Sequence, residues 1–319
     1  MKRGLITWDK AEIPPAVFEQ RVNRVRRVLD ECGLPALVVY SELWRSNQAR
    51  FFSNFMPYFN RALLIIPRDV PAPATLLCGL SPRVYGWIRS VTTIEDVRPA
   101  GNFAKPLFEI AADRQWTRIG VLDFQQLPHD LHKAIGGGSL EVVNVESGAV
   151  FVPSEDETEL AMRRKAAALA KQILDEEMPS GVGSIDHHFV GRLERRFRRA
   201  GAEDLITLLT NGEGVPAPPT GATLEENYSV SVAMEYRGHW VRLSRPHGSS
   251  QVLQACRRLF ESNMVPKATA PALRATTPLQ AGECLDGSYP YEWGSGKISA
   301  LHMEYRHDGK RLFYGDTVL

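Results

Sequence analysis

Near the end of the sequence, His302 and Glu304 stand two apart in Leu301-His-Met-Glu-Tyr305, a run that reads as a strand. Residues i and i+2 of a strand share a face, so an imidazole and a carboxylate would sit side by side, the beginning of a metal site. His239, beside Trp240, is a general acid/base candidate, although a histidine satisfied in the core or at the surface is the commoner state. His187-His188 open a helix with no ligand partner at the right spacing and read as surface residues. Gly136-Gly137-Gly138 follow a helix and precede a strand, the reverse of the order in which glycines cradle a phosphate, so no nucleotide loop is expected there. Cys32, Cys78, Cys256 and Cys284 are scattered without a Cys-x-x-Cys pair, which disfavours a zinc knuckle and a redox pair alike.

The chain that must position these groups has an ordinary folded composition, 44% hydrophobic and 24% charged over 319 residues, enough for roughly two domains. Its 38 Lys+Arg against 37 Asp+Glu leave 38 − 37 = +1, without the basic excess of a nucleic-acid binder. The most apolar short run, Ala62 to Pro67, is far below the ~20 residues of a membrane-spanning helix, and residues 1–15 lack the apolar centre of a secretory signal. No membrane partner is expected, and a cytoplasmic location is.

Apolar periodicity predicts a helix over 16–34 closed by Gly33, then a buried strand over 35–40. Strands follow at 62–66 and 74–78, and at 118–123 and 140–145 with a helix around 130–135 between them, an α/β pattern. The character changes near 151–153, where Ser154-Glu-Asp-Glu157 reads as the cap and acidic first turn of a helix reaching Glu177. A second helix at 185–200 places Phe189, Leu193 and Phe197 on one face and most of its arginines in solvent. Strands at 205–209, 228–236 and 239–243, a helix at 251–262, and a hairpin of 298–305 with 311–318 turned at Asp308-Gly309 complete the chain.

Three stretches in this order resemble the creatinase, prolidase and aminopeptidase P family. Arg21 to Tyr40 (RVNRVRRVLDECGLPALVVY) is similar to its arginine-rich helix, Gly-Leu turn and first strand; Ser154 to Ala166 (SEDETELAMRRKA) is similar to its domain junction. Tyr236-Arg-Gly-His-Trp-Val-Arg-Leu-Ser-Arg245 follows its Tyr-x-Gly-Tyr-x-x-Asp-x-Thr-Arg strand pair. The resemblance implies an α/β chain in two parts: a creatinase-type N-terminal α/β domain over residues 1–150, then a shortened pita-bread α+β domain over 151–319. It also implies a homodimer.

Active members of that family hold two metal ions with two Asp, one His and two late acidic residues. In this sequence the second Asp falls on Arg242 and the first, counted back from Tyr236, on Ser231; a guanidinium has no lone pair to give a metal. The family's substrate-binding His would fall near Pro218 or Pro219, where no His stands, and 246–300 holds no Gly-His-Gly. The last two carboxylates fall on Glu304 and Asp316. The resemblance therefore implies that Ser231, Arg242, Glu304 and Asp316 converge where metals would be, with no cofactor, and that Arg242 either plugs the site against the two acids or clamps an anionic group of a ligand. His302, Glu304 and Asp316 would form a one-His, two-carboxylate metal site, a poor match to common triads. His239 takes the place of the family's Tyr at the pocket wall.

Creatinase cleaves a C–N bond without metal, and by that precedent the expected function is a metal-independent enzyme cleaving or rearranging a C–N bond in a small amino-acid-derived substrate with a carboxylate. Arg242 or Arg245 would hold the carboxylate, Glu304, Asp316 or His239 would move protons, and Ser231 and His302 would complete the substrate site. Two readings stand beside it: an inactive pseudo-peptidase that binds or scaffolds, and a metallopeptidase with a rearranged metal site.

Overall fold

A computed structural model describes residues 6–43, 45–57, 60–151, 156–212, 214–263, 273–278, 299–307 and 310–318. The described residues fall into two compact units, one reaching residue 151 and the other starting at 156. The expected cap Ser154, the turn Asp308-Gly309 and Cys284 lie outside the described residues.

In the first unit, α1 (Pro15–Glu31) buries Phe18, Val25 and Leu29, and Gly33 follows it at φ 62°, a conformation that costs glycine little. Six strands form a sheet in the order β4-β3-β2-β1-β5-β6. These are β1 (Ala36–Ser41), β2 (Ala62–Pro67), β3 (Thr75–Cys78), β4 (Asp96–Pro99), β5 (Arg118–Leu122) and β6 (Glu141–Val145). Only β2 runs against its neighbours. α1, α2 (Asn47–Ser53) and α3 (Tyr85–Val91) cover one face; α4 (Ala104–Asp113) and α5 (His129–Gly136) cover the other. Burial on both faces is why β1 and β2 read as unbroken apolar runs. A short α6 (Ser147–Val150) ends the unit.

In the second unit, α7 (Glu157–Glu177) is capped by Asp156, whose Oδ1 accepts the Glu159 N–H at 2.9 Å. α8 (Asp186–Arg199) follows, with Phe189, Leu193 and Phe197 buried as their spacing predicts. The sheet has the order β10-β11-β12-β9-β8-β7. Its strands are β7 (Asp204–Asn211), β8 (Tyr228–Tyr236), β9 (His239–His247), β10 (Leu273–Pro278), β11 (Ser299–His307) and β12 (Lys310–Val318), with α9 (Ser250–Asn263) after β9. Val230, Val232 and Met234 of β8 and Val241 and Leu243 of β9 pack on α7 and α8, while Leu312 and the partly buried Tyr314 of β12 pack on α9. Alternation then turns Ser231, Arg242, Ser244 and Gly315 to the opposite face. Among the described residues no helix is long and apolar enough to cross a membrane.

Candidate functional site

Strand register builds the site. Ser231 pairs with Ser244 across β8 and β9, Ser244 with Gly315 across β9 and β12, and Gly315 with His302 across β12 and β11. These four residues form a row across the sheet on the face turned away from α7 and α8. Adjacent strands lie ~4.8 Å apart, so His302 and Ser244 are separated by about two such spacings. Gly315, between them, carries no side chain, and the imidazole reaches over it: Nδ1 of His302 lies 2.9 Å from Ser244 Oγ, which lies 2.7 Å from Ser231 Oγ. Arg242 stands two residues from Ser244 on the same face, its backbone held by Thr317, whose Oγ1 accepts the Arg242 N–H at 2.9 Å and donates to the Arg242 carbonyl at 3.0 Å.

Burial, then the charges of Arg242 and Arg245, push the His302 pKa down to about 4, so the ring is neutral near pH 7. Its Nε2 is shielded from solvent and has no hydrogen-bond partner among the described residues. A buried N–H without an acceptor is rarer and costlier than a lone pair without a donor. The tautomer that satisfies the network therefore carries its proton on Nδ1: Nδ1–H donates to Ser244, Ser244 donates to Ser231, and Nε2 presents a lone pair.

The expected convergence of Ser231, Arg242, Glu304 and Asp316 is corrected by this register. Asp316 is one residue from Gly315 and so faces the helix side, where both its oxygens accept from Arg245 Nη2 at 3.0 Å. Arg245 is buried; its Nη1 donates to the carbonyls of Ser244 at 3.0 Å and Gly315 at 2.6 Å, and its guanidinium lies 4.8 Å from the Tyr314 ring centroid. This arginine is a structural tie, so the role of carboxylate holder expected for it is lost along with the proton-moving role of Asp316. Glu304 does share the face of His302, as the spacing requires, but it pairs in a fork with Arg311, Nε to Oε1 at 2.9 Å and Nη2 to Oε2 at 3.1 Å. A carboxylate held this way is a poor base.

His239 is also displaced from its expected place. As an odd-numbered residue of β9 it faces the helices, and its Nε2 lies 3.0 Å from Glu159 Oε2. The other oxygen of Glu159 accepts from Arg163 Nε at 2.8 Å, and Arg163 Nη1 donates to the Trp240 carbonyl at 2.8 Å, all of it buried. The His239 role at a pocket wall gives way to a buried ion cluster that ties α7 to β9. His187 and His188 are exposed, as their sequence context implied.

A two-metal centre does not fit these residues. Arg242 and Ser231 occupy the face, Nδ1 of His302 is engaged by Ser244, and Glu304 by Arg311. Among the described residues no group of three or more His, Cys, Asp or Glu side chains is arranged to hold an ion. Ser244, Gly315 and Thr317 belong to no chemical motif in the sequence; strand register, set for β9 by the Arg237-Gly238 turn, is the signal that aligns them.

No family description and no characterised protein matches the sequence. Solved structures do match in fold. Prolidase from Pyrococcus horikoshii OT3 has a TM-score of 0.70 at 12% identity over 94% of this chain and 95% of that one. An X-Pro aminopeptidase from Thermotoga maritima MSB8 has a TM-score of 0.71 at 14% identity over 93% and 94%. The dipeptidase PepE from Mycobacterium ulcerans has a TM-score of 0.68 at 14% identity over 98% and 94%. The chain has the fold of these proteins, a creatinase-type α/β domain followed by a pita-bread domain, as expected from its sequence.

Proposed function

We propose that this chain is a metal-independent enzyme on a prolidase-type scaffold that cleaves a C–N bond in a small amino-acid-derived substrate, with His302 as its proton-transferring group. The observation that carries this reading is Nε2 of His302, which has no hydrogen-bond partner among the described residues, on a ring whose Nδ1 is engaged by Ser244 and, through it, Ser231 on the face turned away from the helices. The structural neighbours are by name peptidases, whose reaction breaks an amide C–N bond.

In the hydrolytic form of the reaction, Nε2 takes a proton from water as the hydroxide oxygen bonds to the carbon. The protonated ring then gives that proton to the departing nitrogen, so atoms and charge balance. Ser244 and Ser231 position the ring, and Arg242 holds the substrate carboxylate. A base with a pKa of about 4 is weak at pH 7, but a carboxylate bound at Arg242 offsets a charge that depresses it. A homodimer with a small-molecule substrate, and without nucleic acid or membrane partners, is the assembly we attach to this reading.

The test is to incubate the purified protein with Xaa-Pro dipeptides, amino-acid amides and guanidino acids, with and without a chelator. Turnover that survives chelation and is lost in His302→Gln supports the reading. Ligand binding without turnover would instead assign a binding or scaffolding role, and turnover abolished by chelation and restored by a divalent ion would assign a rearranged metallopeptidase.

A further inference from the structure

The first unit holds a crevice that the second unit's chemistry does not use. It has a volume of about 440 Å³ and lies at the carboxyl ends of β3 and β4, beside the start of β2 and between α4 and α5. That is the end of an α/β sheet at which ligands commonly bind, and the volume is within the range of small-molecule sites.

Its walls combine one charge of each sign with apolar surface. Arg61 Nη1 lies 2.8 Å from Asp130 Oδ2, while Phe103 and Leu131 supply apolar atoms. The polar wall is fixed in place: Asn60 Nδ2 donates to the Gly79 carbonyl at 2.8 Å and its Oδ1 accepts the Arg61 N–H at 2.9 Å. Asn102 Oδ1 accepts the Ala104 N–H at 3.0 Å, so α4 begins at the crevice with its positive end nearby.

The Arg61–Asp130 pair is exposed, and an exposed pair contributes little, so a ligand can divide it at small cost. The side-chain contact with Asp130 engages only part of the guanidinium fork, which has five N–H donors. A ligand with one charge answers one member of the pair and leaves the other to solvent, whereas a zwitterion answers both. We infer that this crevice binds a free α-amino acid with an apolar side chain, its carboxylate on Arg61, its ammonium on Asp130 and its side chain against Phe103 and Leu131.

The experiment is calorimetric titration of the full chain with L-leucine, N-acetyl-L-leucine and L-leucinamide, the last two each lacking one charge. L-Leucine is expected to bind, with the two capped forms at least tenfold weaker. Arg61→Gln and Ala134→Trp, the latter placing a large side chain in the crevice from the exposed face of α5, are expected to weaken leucine binding at least tenfold. Arg242→Gln in the second unit should leave it unchanged. Absence of leucine binding at millimolar concentration overturns the inference, as does equal binding of a capped form. Binding lost in Arg242→Gln but kept in Arg61→Gln overturns it too, by placing the ligand in the second unit.

Discussion

Ser244 and His302 stand on strands that are not neighbours in the sheet, yet Oγ of one and Nδ1 of the other are 2.9 Å apart. Gly315 makes this contact possible by leaving the position between them without a side chain. A branched residue there would stand in the path of the imidazole. Gly315→Val is expected to break the Ser244–His302 bond and lower turnover at least tenfold, with Gly315→Ala intermediate. ¹⁵N shifts of the His302 ring, which report its tautomer, check the first effect independently of activity.

The depressed pKa of His302 links stability to pH. A histidine titrates near 6.5 when unfolded and His302 near 4 when folded, so between these values the unfolded chain binds more protons. The contribution of neutral His302 is complete above pH 6.5 and is lost as pH falls toward 4, amounting to up to ~3 kcal/mol at the acid end. Urea midpoints measured at pH 7 and pH 4.5 should differ more in the native chain than in His302→Gln. An equal difference in both would remove His302 as the source.

How much of this was legible in the sequence turns on the register of two strand pairs. Arg237 and Gly238, at φ 52° and 86°, make a two-residue turn that pairs Tyr236 with His239. Counting outward from that turn pairs Ser231 with Ser244. In the same way the pairing of His307 with Lys310 sets His302 against Gly315 and Leu301 against Asp316. The motif resemblance groups Glu304 with Asp316, but hairpin register puts them on opposite faces, and register prevails because a one-residue slip would turn every side chain over. The reach of His302 across a glycine and the partnership of His239 with Glu159 depend on contacts between distant segments, which periodicity does not carry. β4 leaves no apolar signal for a local reason: its four residues, Asp-Val-Arg-Pro, bury only Val97.

Arg245 and Asp316 should behave as a structural pair. Asp316→Asn leaves a buried guanidinium with a weakened partner and is expected to cost about 1–3 kcal/mol, visible as a lower urea midpoint. Activity per folded molecule should fall less than threefold. A loss of activity with unchanged stability would return Asp316 to the chemistry.

The same separation applies to His239. Glu159→Ala removes the carboxylate that answers both Arg163 and His239, and is expected to destabilise the second unit by roughly 3–5 kcal/mol. The milder His239→Gln should keep turnover within threefold of the native chain below its own unfolding midpoint. Loss of turnover in His239→Gln at full folding would overturn the structural assignment.

The role of His302 is tested by the turnover rate of chelator-treated protein, native against His302→Gln, on a C–N substrate found by the amide and dipeptide panel. The native rate is expected to be unchanged by the chelator, and the variant, still folded by its urea midpoint at pH 7, to be at least a hundredfold slower. A folded His302→Gln protein that works at the native rate, or a native protein that stops when its metals are removed, would contradict that role.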